Sequence, residues 1–196
     1  AKCNSLLRLG WSHGDNEIIS REEAIEWFNA EKIGKSPSRL DLVKLTNLNA
    51  HYIRNAEDKR LVEDIKPIIE KKIARNLTEP EIDRITRGMP GLKQRAKLTN
   101  DLAEAAEIYL DGFIAPELTE GLDLAKQAKI ALESVEDWSH DELEKVLRKV
   151  AEDAGVKFGE LAKPARFVMT NRNVSPSIFD MMLVLGKEET LHRLPN

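Results

Sequence analysis

Apolar residues return every three or four positions along almost all of this 196-residue chain, and clean alternation is nearly absent. That period belongs to helices with one buried face, so the pattern predicts an all-α protein. Several helix starts are marked. Ser20 with Glu23, Thr78 with Glu81 and Ser139 with Glu142 have capping-box spacing, in which a hydroxyl and a carboxylate each take up a free backbone N–H. Residues 20–29 read as a helix with Ile25 and Phe28 on one face beside Trp27, and 34–38 as a break. Over residues 41–54, Leu42, Leu45, Leu48, Tyr52 and Ile53 form one stripe. Two helices are expected within 57–76, interrupted or restarted at Pro67, because proline removes a donor and crowds the preceding turn. The helix opened by Thr78, with Pro80 in its first turn, is expected to end at Gly88-Met89-Pro90-Gly91.

Further helices are expected over 99–110, 119–134 and 139–154, the last with Gly155 as its stop. Short helices fit 159–162, 164–169, 176–185 and 187–194. Asn171-Arg172-Asn173 reads as a turn, and Gly186 closes the helix before it. Gly112 and Pro116 mark a change of character, so the chain divides near residues 57 and 116. At the other end, Leu6, Leu7 and Leu9 follow Ala1 with nothing to cap a helix start. The chain therefore reads as truncated at its N-terminus, by design or by proteolysis.

Composition agrees with a folded helical protein. Apolar residues make up 41% and charged residues 33%, which excludes a disordered polyelectrolyte. No apolar run approaches the roughly 18 residues that a membrane span needs. No signal peptide opens the chain. The single cysteine, Cys3, excludes an internal disulfide and fits a reducing cytosol.

Net charge is −4, which alone argues against a nucleic-acid partner, but the charges are segregated. Residues 84–97 carry Arg84, Arg87, Lys93, Arg95 and Lys97 and no acid. Residues 157–172 carry Lys157, Lys163, Arg166 and Arg172 against Glu160. Residues 101–123 and 133–144 hold acids and no lysine or arginine. Such a chain can present a basic face on an acidic protein, although solvated helix faces give the same runs.

Sites for chemistry are scarce. His13, His51, His140 and His192 share no ligand spacing with one another or with Cys3. Gly34-Lys35-Ser36 ends like a phosphate loop, but Asn29 stands where its first glycine belongs. Cys3 has no basic neighbour in a leucine-rich segment and reads as structural, and Trp11 and Trp27 read as core. No catalytic residue, resident cofactor or metal ligand is expected.

Three ordered motifs carry a resemblance. Residues 5–28 read S-L-L-R-L-G-W-S-H-G-D-N-E-I-I-S-R-E-E-A-I-E-W-F, residues 44–54 read K-L-T-N-L-N-A-H-Y-I-R, and residues 155–194 run from G-V-K-F-G through K-P-A-R-F-V-M-T-N and S-P-S-I-F to L-G-K-E-E-T-L-H-R-L. Together they resemble bacterial glutamyl-tRNA synthetases from just after the ATP-binding K-M-S-K-type loop to the C-terminus. Neither that loop nor the H-I-G-H-type sequence is present, so glutamate activation is not expected of this chain. The resemblance implies a helical cage of two anticodon-binding subdomains (58–115 and 116–196), preceded by the helical end of a stem-contact domain (1–57). It implies a class I glutamate–tRNA ligase as the full-length parent, cytoplasmic, using ATP and Mg2+, with this piece holding the tRNA anticodon arm as a monomer.

The resemblance also selects residues. In such enzymes an arginine in a segment like L-x-x-R-x-K-x-L reads the third anticodon base, and L-K-Q-R-A-K-L over 92–98 points to Arg95. The family's P-L-R-x-A-L-T arginine maps onto Arg166, and its S/T-P-G-L/I turn onto Ser175, Pro176 and Ile178. Arginine suits this task because its planar fork offers fixed donors and also stacks on bases. Lys93, Lys97, Lys163 and Arg172 are expected as phosphate contacts or solvated charges. Ala165 replaces the usual leucine, and Asn171 and Ser177 replace usual glycines, which puts the local turn geometry in question; asparagine tolerates positive φ, so the Asn171 turn is expected to survive. The alternative, different in class, is an all-helical protein-interaction module that docks through its acidic segments without RNA recognition.

Overall fold

The computed structural model describes residues 1–118, 120–172 and 175–196. Among these it contains ten α-helices and no strand. They are α1 (Lys2–Leu7), α2 (Arg21–Trp27), α3 (Leu42–Asn55), α4 (Asp58–Ile73), α5 (Glu79–Leu92), α6 (Thr99–Ala106), α7 (Leu122–Glu133), α8 (His140–Asp153), α9 (Phe158–Thr170) and α10 (Ile178–Arg193). Single 3-10 turns follow α2, at Ala30–Lys32, and α6, at Glu107–Tyr109. The expected start of α7 at Thr119 and the Asn173 corner of the expected turn lie outside the described residues.

Packing follows chain order. α1 lies on α3; α4 packs on α5 and α6; α7 packs on α8 and α9; α10 reaches from α5 across to α7, α8 and α9. One continuous core runs from Ile53 to Leu194, with Ile65, Ile69, Ile85, Met89, Leu102, Leu132, Leu143, Leu147, Leu161 and Met169 fully enclosed. Burying side chains of this size contributes roughly 1.5–3 kcal/mol each, which is what holds such short helices in place.

That energy explains where the elements depart from the sequence pattern. Pro67 does not interrupt α4, Pro90 does not end α5, and Pro164 does not divide α9. Each proline sits inside one helix, at roughly 3 kcal/mol against alanine. In each case buried residues lie on both sides: Ile65 and Ile69 around Pro67, Met89 and Leu92 around Pro90, Leu161 and Val168 around Pro164. Gly186 does act as expected. With φ 80° and ψ 168° it breaks the helical path of α10.

The capping boxes at Ser20–Glu23 and Thr78–Glu81 form. The third does not. Ser139 turns its hydroxyl to the Asp137 carboxylate at 2.9 Å and makes no side-chain cap. Glu81 exceeds its expected role. Fully buried, it accepts from Thr78 N–H, from Asp111 N–H at 2.9 Å and from both terminal nitrogens of Arg75 at 2.8 and 2.6 Å. The Arg75 guanidinium and these donors hold its carboxyl down at about 2.

The first 43 residues are packed more loosely. Trp11 and Ile19 are buried, and Asn4 anchors the loop by bonding Glu17 O and Ile19 N. Cys3 is exposed. Trp27 is only half-buried, stacked on His13 with ring centroids 4.3 Å apart. Leu6, Ile18, Ile25, Phe28, Leu42 and Val43 are exposed, so the expected stripe on α3 is covered only from Leu45 onward.

Candidate nucleic-acid interface

Two close approaches seat α5 against its neighbours, the segment after α6 and the start of α10. At Gly88, a methyl group would fall inside the ring of Tyr109, which closes the α6 segment over α5. At Gly91, a methyl group would stand 3.0 Å from Pro176 Cβ. The absence of a side chain at Gly88 lets Tyr109 lie on α5, and its absence at Gly91 lets the turn before α10 do so. α5 therefore ends beside residues 175–178, and the loop that carries Arg95 leaves from that point.

Arg95 follows α5, its N–H bonded to Leu92 O at 3.4 Å, and its side chain is exposed. Arg166 projects from α9 and is half-buried. Its Nε is shielded from solvent and has no hydrogen-bond partner among the described residues. Burial lowers the Arg166 pKa, and the charge of Arg95 lowers it further. The two guanidiniums, 71 positions apart in sequence (166 less 95), are thus near enough in space to repel. Neither forms an ion pair among the described residues. Positive charge concentrated without an acid between is an arrangement that favours an anionic or acceptor-rich ligand.

The other sequence-selected residues divide by surroundings. Ser175, Pro176 and Ile178 are buried; the Ser175 hydroxyl donates to Pro176 O at 3.1 Å. They shape the turn, and among its described residues Ser177 is exposed. Asn171 adopts the left-handed conformation at the end of α9, φ 53° and ψ 30°, as the turn there requires. Lys97 and Lys163 are exposed. Lys93 is held elsewhere: its Nζ lies 2.6 Å from Asp58 Oδ1 and 3.1 Å from Ala56 O. Arg172 donates to Glu104 O at 2.7 Å. In the same basic run, Arg84 pairs with Asp111 and Arg87 with Asp83. Of the cations that sequence placed at the interface, Arg95, Arg166, Lys97 and Lys163 have no ion-pair partner among the described residues.

The acidic segments are also engaged internally. Asp101 caps α6 through Leu98 N at 3.0 Å, Glu104 meets Arg172, Glu107 pairs with Lys72 and Asp111 with Arg84. Glu142 and Glu144 pair along α8 with Lys145 and Arg148. Five of the thirteen acids in the two segments are thus paired with a lysine or arginine, which weakens the charge that an acidic docking surface would depend on.

Residues 60–196 match the family model described as anticodon binding domain. This chain belongs to the anticodon-binding domain family. Over nearly its whole length, the chain is 47% identical to glutamate–tRNA ligase 2 of Zymomonas mobilis and 46% identical to glutamate–tRNA ligase 2 of Paramagnetospirillum magneticum. Both alignments cover 99% of this chain but only 42% and 43% of those proteins, so the chain spans about two fifths of their length. A crystal structure of a glutamate tRNA ligase from Elizabethkingia meningosepticum shares the fold, with a TM-score of 0.80 over 98% of this chain and 39% of that one, at 22% identity. The anticodon-binding segment thus includes Arg95, Arg166 and the turn before α10, whereas α1, α2 and α3 precede it.

Two contributors escaped the sequence reading. The first is the pair Gly88 and Gly91, taken there only as a helix stop, although a glycine pair inside a helical pattern also signals a close neighbour. The second is Arg193, part of the terminal L-H-R-L match, whose partners are distant backbone carbonyls that leave no trace in a sequence.

Proposed function

We propose that this chain grips the anticodon arm of a tRNA as the C-terminal part of a glutamate–tRNA ligase. What supports this reading is that Arg95, leaving α5 beside the turn of Ser175, Pro176 and Ile178, and Arg166 on α9 feel each other's charge, while among the described residues neither has an acidic partner. Anticodon bases are unstacked and present their edges, and a guanidinium offers paired donors to such edges. Arg95, exposed, contacts the third anticodon base. Arg166, its Nε already shielded from water, contacts a neighbouring base or its ribose. Ser177 and the backbone of the turn pack against the loop, while Lys97 and Lys163 lie along its phosphates.

In the full-length parent, the catalytic part would use ATP and Mg2+ to form the glutamyl ester on a cytoplasmic tRNA. The role of this chain in that reaction is to hold the far end of the substrate, one copy to one tRNA.

Filter binding with transcribed tRNA for glutamate tests the reading. Arg95→Ala and Arg166→Ala are each expected to weaken binding by about 1–3 kcal/mol, the size of a good base contact. A series of transcripts altered at the third anticodon base should discriminate less against the changes when Arg95 is removed. Wild-type affinity in both variants would refute the assignment.

A further inference from the structure

Arg193 lies away from solvent at the end of α10, with its side chain completely buried. Its Nε donates to Glu189 Oε1 at 2.7 Å. Its Nη1 donates to Ile108 O at 2.7 Å and to Met169 O at 3.0 Å, and its Nη2 to Leu110 O at 3.4 Å. The guanidinium carbon sits 4.2 Å from the centroid of Phe113. Desolvating a charge this thoroughly is unfavourable unless its hydrogen bonds are made, and here the planar fork makes them in three directions.

The acceptors share an origin. Met169 lies in the last turn of α9, where carbonyls lack a helical N–H partner. Ile108 and Leu110 belong to the 3-10 turn that ends the α6 segment and to its C-terminal cap. One side chain therefore joins the end of the run that begins just after Arg95 to the helix that carries Arg166, three residues before Met169. The neighbouring tie, Arg172 to Glu104 O, joins the same two segments at the partly exposed surface. Among the described residues, only Arg193 makes this hydrogen-bonded link from within the core.

We infer that Arg193 is a positioning residue for tRNA binding: by bonding carbonyls of both segments, it fixes the spacing between the Arg95 and Arg166 guanidiniums. This rests on the anticodon-arm reading above. Arg193 touches no RNA itself. It sets how well two groups can engage one loop at the same time, and such shared engagement is what makes their contributions non-additive.

The test is a double-mutant cycle in the 196-residue chain, read by filter binding to transcribed tRNA for glutamate. Arg95→Ala, Arg166→Ala and the pair are compared in the native background and again with Arg193→Lys, which keeps the charge and loses the fork. Circular dichroism and thermal melting correct each affinity for the folded fraction. In the native background the pair is expected to lose affinity by a factor that departs from the product of the single losses. With Arg193→Lys, folded protein is expected to bind about tenfold more weakly, and the two losses should then simply multiply. Folded Arg193→Lys protein that binds as the native chain does, or that keeps the native coupling with only a lower melting temperature, overturns the inference.

Should Arg193→Lys not fold, Glu189→Gln takes its place, because it loosens only the Nε anchor. It is expected to weaken binding severalfold and to reduce the coupling; native affinity and coupling would overturn the inference. Native affinity of Arg95→Ala and Arg166→Ala with Arg193 intact is a separate result. It refutes the anticodon-arm reading, and the inference falls with it.

Discussion

Glu81 shows how much one carboxylate can do when every oxygen has a donor. It began as the third residue of a helix cap, and the fold gave it the Arg75 fork and the Asp111 N–H as well. Its pKa is about 2 in the folded protein against an ordinary 4.5, so folding favours the ionised form. The stabilisation is fully present above pH 4.5 and is lost as pH falls through about 2. Integrated over that window it amounts to at most about 3 kcal/mol. Glu81→Gln is therefore expected to lower stability by roughly 2–3 kcal/mol at neutral pH. Below pH 4.5 its denaturant midpoint should fall less steeply than that of the native chain. Chemical denaturation at several pH values measures both effects. Sequence showed the cap but not the hub, because Arg75 and Asp111 converge on Glu81 only after α4, α5 and the α6 segment have packed.

At the scale of elements, periodicity located the helices from α2 to α10, and the misplaced boundaries lie mainly where proline was allowed to decide them. Pro67, Pro90 and Pro164 each remove one backbone bond, a local penalty that a pattern reader sees at once. The opposing term, the burial of neighbours such as Ile69, Leu92 and Val168, is non-local and invisible in a short window. The same asymmetry governs Gly88. In an isolated helix, glycine to alanine stabilises by about 0.5–1 kcal/mol. Here the added methyl would enter the Tyr109 ring, so Gly88→Ala is expected to destabilise by about 1–3 kcal/mol, the usual effect of overpacking. A thermal melt decides the sign. The candidate interface was legible to a similar degree. The segments holding Arg95 and Arg166 stood out as basic runs, but their mutual approach, and the burial of Ser175, Pro176 and Ile178, depend on α5 meeting α10.

For the whole molecule, charge counts in the sequence overstate what a ligand would meet. Lys93 stands in the basic run with Lys97, yet it is bound to Asp58 and the Ala56 carbonyl. Lys97→Ala and Lys163→Ala should each reduce the slope of log affinity against log salt by about 0.7–0.9, the loss of one phosphate contact. Lys93→Ala should leave that slope unchanged and lower the melting temperature instead, as Asp58 loses its partner. Binding titrations across a range of salt concentrations would separate the three lysines.

The charges of Arg95 and Arg166 repel each other, and among the described residues neither has an acidic partner. A variant lacking either guanidinium is freed from that repulsion. Selection for heat tolerance alone would thus tend to discard a group the nucleic acid needs, and laboratory evolution of this chain should keep RNA capture among its criteria.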